Sequence, residues 1–322
     1  MVDDTILKIS GLSIDAVTTI SRKRIVESFD LEVKRGEIYG VVGETGSGKS
    51  ISMMASVGLT ANGLEVSAGT VEFNGKAVEA SRQKVLRGNL AAGVSLLFQN
   101  AKGALNPFLT VESQIHRVLN LQRVSKKERS RRVQELLVAV GLDPDGIKHK
   151  YAHEISGGQA QRVAMACSLA TNPQLLIADE PTTALDVTTE REVLEFLKDL
   201  CVRRNMAMIL IAHNLALVSE NCSRISILHA GHVVESGDVA EVFQNPLHPY
   251  TQGLLTAIPD VDNPHELVPL DGSVWGGPSL VNRCRFSHRC SCAQDGCNEG
   301  IPPMVQIASN HAVRCLRYGG NN

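Results

Sequence analysis

The chain contains few aromatic residues and no long apolar segment. Only 4% of its residues are Phe, Trp or Tyr, and a single one is tryptophan. No window approaches the roughly 18 consecutive apolar residues that a membrane-spanning helix needs. The beginning, MVDDTILKISGLSID, opens with two acids and has no basic region before an apolar stretch, unlike a secretory signal peptide. We therefore expect a cytosolic protein without structural disulfides.

The chain also lacks an excess of charge of one sign. Its net charge is −2, which gives no general indication of a nucleic-acid partner. The basic residues from Lys126 to Arg132 are predicted to coat a solvated helix face. An apolar fraction of 43% and a charged fraction of 20% are typical of a soluble globular protein. A length of 322 residues favours two domains with a sizeable core.

A glycine-rich turn follows an apolar run in EIYGVVGETGSGKSISMM. Gly43 and Gly48, followed by Lys49 and Ser50, match the spacing of a phosphate-binding loop. The backbone N–H groups of such a loop and the start of the following helix bind phosphate oxygens. We predict that residues 43–50 (Gly43, Glu44, Thr45, Gly46, Ser47, Gly48, Lys49 and Ser50) bind nucleotide. Lys49 would contact the β and γ phosphates, and Ser50 would ligate magnesium.

An acidic pair follows a second apolar run, LLIADEP. Leu175 to Ala178 form a predicted strand that is buried on both faces of a parallel sheet. Ligands bind at the carboxyl ends of such strands. Asp179 is therefore predicted to hold magnesium, and Glu180 is predicted to orient or deprotonate an attacking water molecule.

Several further motifs occur in a fixed order between and after these two. They are Gln99 in SLLFQNAKGALNP, ISGGQ at residues 155–159, ADEPTTALDVT at 178–188, and His213 after AMILIA. This series resembles the ATP-binding-cassette (ABC) ATPases over residues 5 to about 240. The resemblance implies an α/β fold, with a P-loop NTPase core and an inserted helical subdomain.

The resemblance also implies roles for residues outside the phosphate loop. Ser156, Gly157 and Gly158 would face the γ phosphate held by a second subunit in a head-to-tail dimer. His213 would contact the γ phosphate of its own subunit, and Gln99 would contact magnesium and water. Asp186 would couple the two sites. The residue pattern agrees in one respect, because Ser156 is a candidate N-cap of a helix with unpaired N–H groups behind it.

Two positions depart from the family pattern. The family usually has an aromatic residue upstream of the phosphate loop that stacks on adenine, whereas the nearest alignable residues are Ala16 and Val17. The residue that stacks on adenine is therefore not identified. The signature begins with Ile155 rather than leucine, a volume-conserving change that we expect to be tolerated. We predict an active hydrolase.

The predicted ABC domain covers residues 1–255, and its helical subdomain covers about 101–165. In KKERSRRVQELLVAVGL, the residues Val133, Leu136, Leu137 and Val140 share one face, and Gly141 is a candidate helix stop. The family resemblance implies that this region docks against a transmembrane partner.

The segment NPLHPYTQGLLTAIPD resembles the oligopeptide and dipeptide branch of the family. In that branch a C-terminal extension, predicted here over residues 256–322, ends in spaced cysteines. Cys284, Cys290, Cys297 and Cys315 are separated by five, six and seventeen residues, which is similar to the branch pattern. The resemblance implies a four-iron four-sulfur cluster on these residues. Because the tail is rich in Gly and Pro and lacks long apolar runs, we expect the cluster to have a structural role and not one in electron transfer.

Four thiolates also suit zinc, and unligated thiols remain a third possibility. Cys292 is a further candidate ligand or a bystander. Cys167, Cys201 and Cys222 are predicted to be core residues.

The combined prediction is the ATP-binding and ATP-hydrolysing subunit of a bacterial importer for peptides or similar small solutes. Its cofactors would be ATP, Mg²⁺ and the iron–sulfur cluster. Its partners would be a second ABC subunit, two permease subunits and, indirectly, an extracytoplasmic solute-binding protein, with no nucleic acid. The subunit would lie peripherally on the cytoplasmic face of the inner membrane. The alternative is a soluble ABC ATPase that acts on nucleic acid or ribosomes, and the solute remains open.

Overall fold

The computed structural model describes residues 4–91, 93–182, 187–257, 270, 272–275 and 282–319. The strands are β1 (Thr5–Val17), β2 (Arg22–Lys34), β3 (Ile38–Val42), β4 (Leu64–Phe73), β5 (Lys76–Glu79), β6 (Val94–Leu97), β7 (Leu175–Asp179), β8 (Ala207–Ala212), β9 (Arg224–His229), β10 (His232–Asp238), β11 (Val305–Ala308) and β12 (His311–Val313). The helices are α1 (Lys49–Ser56), α2 (Gln83–Leu90), α3 (Ala101–Ala104), α4 (Val111–Leu121), α5 (Lys126–Ala139), α6 (Pro144–Ile147), α7 (Gly157–Leu169), α8 (Val187–Arg204), α9 (Leu215–Asn221), α10 (Val239–Gln244), α11 (Pro249–Thr256) and α12 (Leu316–Gly319). Short 3₁₀ turns lie at Ala152–Glu154, Ser287–Arg289 and Asp295–Asn298.

The chain forms two compact units. The first unit contains residues 1–88 and 211–322, and the second contains residues 89–210. The second unit is therefore an insertion in the sequence of the first. The domain boundaries predicted from the sequence at residues 255 and 256, and the predicted helical subdomain, stay predictions.

The first unit contains two sets of strands. One is a four-stranded antiparallel sheet in the order β2-β1-β4-β5. The other follows the order β11-β12-β10-β9-β3, in which β3 runs parallel to β9 and the remaining pairs are antiparallel. All five residues of β3 are buried, because its apolar side chains lie on both faces.

A hydrophobic core in the first unit joins its two sequence segments. Tyr250 of α11 and Phe286 pack with Val42, Ile225 and Val242. The C-terminal segment also extends the sheet, because β12 pairs with β10. These contacts bury apolar area from distant parts of the chain and help to stabilise the segment.

The second unit contains the parallel pair β6 and β7 and a group of helices. The predicted apolar face of α5 is confirmed, because Val133, Leu136, Leu137 and Val140 are all buried. The predicted helix stop is also confirmed: α5 ends at Ala139, and Gly141 has a φ of +71°. Within the described ranges, no helix is both long enough and apolar enough to cross a membrane.

Candidate functional site

The predicted phosphate loop lies between β3 and α1 in the first unit. Gly48 is the N-cap of α1 and has a φ of +102°, a conformation that glycine adopts without a Cβ penalty. This glycine lets the chain turn sharply from the loop into the helix. The N–H groups of the first helical turn then face the loop interior, where an anion binds favourably.

The side chains inside the loop are arranged for a phosphate chain. Lys49 is only 5% exposed, and its Nζ donates hydrogen bonds to the carbonyl oxygens of Gly43 at 2.6 Å and Glu44 at 3.0 Å. The buried Ser47 Oγ has no hydrogen-bond partner among the described residues. A buried hydroxyl without a partner is costly unless a ligand supplies one. The loop therefore fits the phosphates of a nucleotide.

Two residues of the C-terminal part of the chain form hydrogen bonds with Glu44 of the loop. The Glu44 backbone N–H donates to the Tyr250 hydroxyl at 3.0 Å. Arg289 donates two hydrogen bonds to the Glu44 carboxylate, at 2.6 Å and 3.0 Å. The Arg289 side chain is 2% exposed, so this bidentate pair is largely shielded from water. The loop conformation therefore depends on residues more than 200 positions later.

Buried histidines support Arg289 and α11. His229 Nε2 lies 3.2 Å from Arg289 Nη1 and accepts its hydrogen bond when the imidazole is neutral. Burial, with a contribution from the Arg289 charge, lowers the pKa of His229 to about 2. His248 Nδ1 accepts a hydrogen bond from the Tyr250 N–H at 3.0 Å, and burial lowers the pKa of His248 to about 3. Both imidazoles are therefore neutral at physiological pH.

Two further contacts attach the loop to its surroundings. The indole Nε1 of Trp275 donates to the carbonyl oxygen of Gly46 at 2.9 Å. The N–H of Gly231, in the turn between β9 and β10, donates to the carbonyl oxygen of Ser47 at 2.7 Å. Gly231 has a φ of +84°, and a Cβ at this position would lie 1.7 Å from the carbonyl oxygen of Ile25. No other residue type fits there without a backbone shift.

The acidic pair lies at the end of β7 in the second unit. The strand is fully buried, as predicted, and Asp179 is its last residue, with 7% exposure. Glu180 has a φ of +44°, a left-handed conformation that is uncommon for residues other than glycine. Gln99 Nε2 donates to Glu180 Oε2 at 2.8 Å. The structure therefore brings together two of the three predicted catalytic residues.

The third predicted catalytic residue, His213, follows the buried strand β8 and is exposed. The next residue, Asn214, is the N-cap of α9, and its side chain accepts a hydrogen bond from the Ala216 N–H at 2.9 Å. This cap fixes where the chain turns away from the strand. His213 is thereby placed at the carboxyl end of a buried strand, as its sequence position predicted.

The predicted signature segment begins α7. Ser156 is the N-cap, as predicted, and forms a reciprocal capping box with Gln159 at 3.2 Å and 3.1 Å. Ser156 and Gly157 are exposed. An added Cβ at Gly157 would meet none of the described atoms within 4 Å, and at Gly158 only a Thr189 methyl at 4.0 Å. The helix start therefore presents open space beside its N–H groups. Asp186, the predicted coupling residue, lies outside the described residues.

The tail cysteines surround one small cavity in the first unit. This cavity is lined by Cys284, Cys290, Cys292, Cys297 and Cys315, among other residues. Burial raises the pKa of Cys284 to about 11 and also raises the pKa values of Cys290 and Cys315. The raised pKa values keep these three thiols protonated at neutral pH.

These cysteines do not fit the predicted metal site. Within the described part of the chain, no group of three or more His, Cys, Asp or Glu side chains is arranged to hold a metal ion. The predicted four-iron four-sulfur cluster on Cys284, Cys290, Cys297 and Cys315 is therefore wrong, and nothing supports zinc as its alternative. Strand pairing and the buried Phe286 stabilise the segment instead.

The other cysteines lie apart from this cavity. Cys201 is buried, as predicted, while Cys167 and Cys222 are only partly buried. Burial raises the pKa values of Cys167 and Cys201 to about 12, as is typical of inert thiols inside a protein.

Sequence reasoning did not identify Tyr250, Trp275 or Arg289 as residues that contact the phosphate loop. Tyr250 lies in the segment NPLHPYTQGLLTAIPD, whose sequence indicated a branch of the family but no contact with the phosphate loop. Trp275 is the single tryptophan of the chain, which is the one signal that could have singled it out. A partner separated by more than 200 residues produces no local spacing pattern.

Comparison with known proteins agrees with these observations. A family model described as "ABC transporter" matches residues 26–183, and one described as "Oligopeptide/dipeptide transporter, C-terminal region" matches residues 234–297. The oligopeptide transport ATP-binding protein AppD of Bacillus subtilis is 40% identical over 98% of this chain and 97% of its own. The dipeptide transport ATP-binding protein DppD of Escherichia coli is 40% identical over 96% of each chain. The names of both relatives refer to transport and to ATP binding.

Solved structures show the same fold. The cbiO1 protein of Clostridium perfringens, part of the ABC transporter complex cbiONQ, superposes with a TM-score of 0.65 at 26% identity, and covers 76% of this chain and 92% of that one. The dimeric ATP-binding cassette MJ0796, bound to ADP and phosphate, gives a TM-score of 0.64 at 25% identity, with 73% and 99% covered. The predicted P-loop ABC fold is confirmed. The chain therefore belongs to the ABC transporter family, as an ATP-hydrolysing protein of its oligopeptide and dipeptide branch.

Proposed function

We propose that this protein binds and hydrolyses ATP to drive the import of peptides or related small solutes. The observation that carries the nucleotide part of this proposal is the buried Lys49 ammonium, which closes the glycine-rich loop beside the unpartnered Ser47 hydroxyl. The peptide part is supported by the similarity to AppD and DppD, which are named as oligopeptide and dipeptide transport ATP-binding proteins.

In the first unit, residues 43–50 bind the nucleotide phosphates. Backbone N–H groups of the loop and of the first turn of α1 neutralise phosphate charge, and Lys49 adds a full positive charge. His213, exposed at the end of β8, is the proposed γ-phosphate contact. All of these groups are donors or cations, as stabilisation of an anionic transition state requires.

In the second unit, Glu180 is the proposed general base. The hydrogen bond from Gln99 orients the Glu180 carboxylate, so that one oxygen can accept a proton from the attacking water. Asp179 and Gln99 of this unit carry oxygen atoms of the kind that magnesium prefers, and each is a proposed ligand or water-mediated contact. Ser50 of the first unit is proposed as a ligand for the same reason. When bound, Mg²⁺ neutralises the charge that develops on the phosphate oxygens.

The signature residues Ser156, Gly157 and Gly158 are proposed to contact nucleotide held by another subunit. The exposure of Ser156 and Gly157 and the open space beside both glycines leave room for such a ligand. The dimeric arrangement of MJ0796 supports this assembly. The second subunit is another copy or a related chain, and the proposed coupling role of Asp186 belongs to the same interface.

The remaining partners are two transmembrane permease subunits, with a solute-binding protein outside the membrane. We place the protein peripherally on the cytoplasmic face of the inner membrane, because the permeases would hold it there. The alternative, an ABC ATPase that acts on nucleic acid or ribosomes, is disfavoured by the net charge of −2 and by the transport names of the relatives. Co-purification of two integral subunits from detergent-solubilised membranes would test this choice, and their absence would contradict it.

The catalytic assignment is tested by Glu180→Gln. This change keeps the size of the side chain and removes the basic oxygen, so we expect the rate of phosphate release to fall by about a hundredfold or more. Because ATP binding is retained, the variant should accumulate as an ATP-bound dimer in light-scattering measurements. Glu195→Gln, an exposed change on α8, is the matched control and should hydrolyse ATP as the unmodified chain does. Wild-type turnover in Glu180→Gln would refute the assignment.

A further inference from the structure

The family usually has an aromatic residue upstream of the phosphate loop that stacks on the nucleotide base, and this chain has none at the corresponding positions. Ala16 and Val17 stand at the end of β1, opposite Lys23 and Arg22 of β2. Neither offers a ring face. A base that is left in water gains nothing from stacking, so a nucleotide bound only through its phosphates would show little preference over inorganic phosphates.

The structure places a different aromatic ring beside this position. Trp275 donates its indole N–H to the carbonyl oxygen of Gly46 in the phosphate loop at 2.9 Å. The Lys23 ammonium lies 4.7 Å from the centroid of the same ring. Lys23 is the direct strand partner of Ala16, one of the two residues nearest to the missing aromatic position. The indole therefore contacts both the phosphate loop and the end of the β1–β2 hairpin.

Buried groups lie next to the Trp275 ring. Val274 is 8% exposed and packs on Ala230, which fixes the backbone just before Trp275. The Arg285 guanidinium lies 5.8 Å from the ring centroid and donates to the Glu27 carboxylate at 2.9 Å. The Arg285 side chain is 3% exposed, so this cation keeps its place. Such anchoring gives the indole a defined orientation before any ligand arrives, which lowers the entropic cost of binding.

The same ring is accessible to a ligand. Trp275 is partly exposed, and Lys23 is an exposed residue whose ammonium can move off the ring at little cost. Tyr250, the other aromatic residue in contact with the loop, is fully buried, and its hydroxyl accepts the Glu44 N–H. Tyr250 therefore cannot present a face to a nucleotide, whereas Trp275 can.

We propose that Trp275 stacks on the nucleotide base and takes the place of the aromatic residue that β1 lacks. The C-terminal segment thus contributes directly to nucleotide binding, beyond its contacts with the loop backbone. This inference rests on the proposed phosphate-binding role of residues 43–50. The cations Lys23 and Arg285 also make the surroundings of the ring favourable for an anionic ligand.

The test compares two ligands on four forms of the full chain by isothermal titration calorimetry. ADP carries a base, while magnesium pyrophosphate offers phosphates alone. The variants are Trp275→Leu, Trp275→Phe and Lys49→Ala. Both Trp275 variants lose the indole N–H, but only Trp275→Phe keeps an aromatic face. The comparison between them therefore separates stacking from the hydrogen bond to Gly46.

We expect Trp275→Leu to weaken ADP binding about fivefold to a hundredfold, the usual range for a base–aromatic contact. Trp275→Phe should retain most of the affinity for ADP. Both should bind pyrophosphate as the unmodified chain does, which also shows that the loop is folded. Since Trp275 is the single tryptophan, its fluorescence should change on addition of ADP but not of pyrophosphate.

Two results would overturn the proposal. Equal ADP affinities of Trp275→Leu and Trp275→Phe would show that the ring face is not used. A parallel loss of pyrophosphate binding in Trp275→Leu would show that the residue only supports the loop. Lys49→Ala should lose both ligands. If it bound both normally, the phosphate-binding assignment of residues 43–50 would fail, and the stacking role would fail with it.

Discussion

The phosphate loop and the start of α7 are both proposed to bind phosphate oxygens, but they are stabilised in different ways. The loop is held by Tyr250 and Arg289, which follow Glu44 by 206 and 245 positions. The start of α7 is held by Ser156 and Gln159, which are three positions apart. The first site therefore depends on the folding of the whole first unit. The second needs only its own helix.

Lowering the pH should have the largest effect, by reducing the free energy of unfolding of the first unit, which holds the phosphate loop. His229, His232 and His248 lie in the first unit, and burial lowers their pKa values to about 2, 4 and 3. Their pKa in the unfolded chain is about 6.5, so their stabilising contribution is complete above that pH and declines as the pH falls toward the lowered values. As the pH falls from about 6.5 to about 5, these histidines gain a proton in the unfolded chain but stay neutral in the folded one. The free energy of unfolding should therefore fall by about 1.4 kcal/mol per pH unit for each of them.

Urea unfolding in reducing buffer at several pH values would measure this slope. Glu27, whose pKa is lowered to about 2 chiefly by its hydrogen bond with His232, contributes only to the loss of stability below about pH 4.5. His248→Asn keeps an acceptor for the Tyr250 N–H and removes one titrating group. Its slope should be smaller by about 1.4 kcal/mol per pH unit. An unchanged slope would show that His248 is not buried in its neutral form.

Removal of the Arg289 guanidinium is the next largest expected effect. In Arg289→Met, the Glu44 carboxylate loses both of its charge-assisted hydrogen bonds, so we expect the free energy of unfolding to fall by about 3 kcal/mol. ADP affinity should fall as well, because the loop loses its outer support. Arg317→Met, at an exposed position of the same segment, is the control. Equal stability of the two variants would mean that the loop does not depend on the C-terminal segment.

The smallest expected effect concerns the start of α7. Ser156→Ala removes an N-cap, which should lower the free energy of unfolding by about 1 kcal/mol, while Ser156→Gly should cost only a few tenths. Neither change should alter the affinity of a single chain for ADP. Urea unfolding and calorimetry would measure both quantities. A loss of ADP affinity in Ser156→Gly would contradict the local character of this site.

The contrast between the two regions also explains which features could be predicted from sequence. Ser156 as an N-cap, Gly141 as a helix stop and a buried strand over residues 175–178 were predicted correctly. Each of these features depends on residues within one or two helical turns or within one strand. The order of motifs identified the family and hence the fold. Such features follow from local backbone geometry and hydrophobic pattern.

The contacts of the C-terminal segment could not be predicted in this way. The Arg289 pair with Glu44 and the Trp275 contact with Gly46 arise from tertiary packing, which joins positions that no short pattern connects. The cysteine spacing was misleading, because spacing alone does not fix where sulfur atoms point. The five tail cysteines line a cavity, but the described residues form no group of three or more that is arranged to hold a metal ion. Family resemblance predicted a ligand set that the packing does not support.

The fit of Gly231 has a wider implication for how this protein tolerates change. Its N–H holds Ser47, its carbonyl oxygen accepts the Glu27 N–H at 3.0 Å, and the Ile25 carbonyl fills the space where a side chain would begin. A methyl group added to Gly231 would clash with β2. Any shift of the turn that relieved this clash would also disturb the hydrogen bond to the nucleotide-binding loop. In a library of random variants, this position should accept no replacement, even though it lies outside every motif by which the chain was recognised.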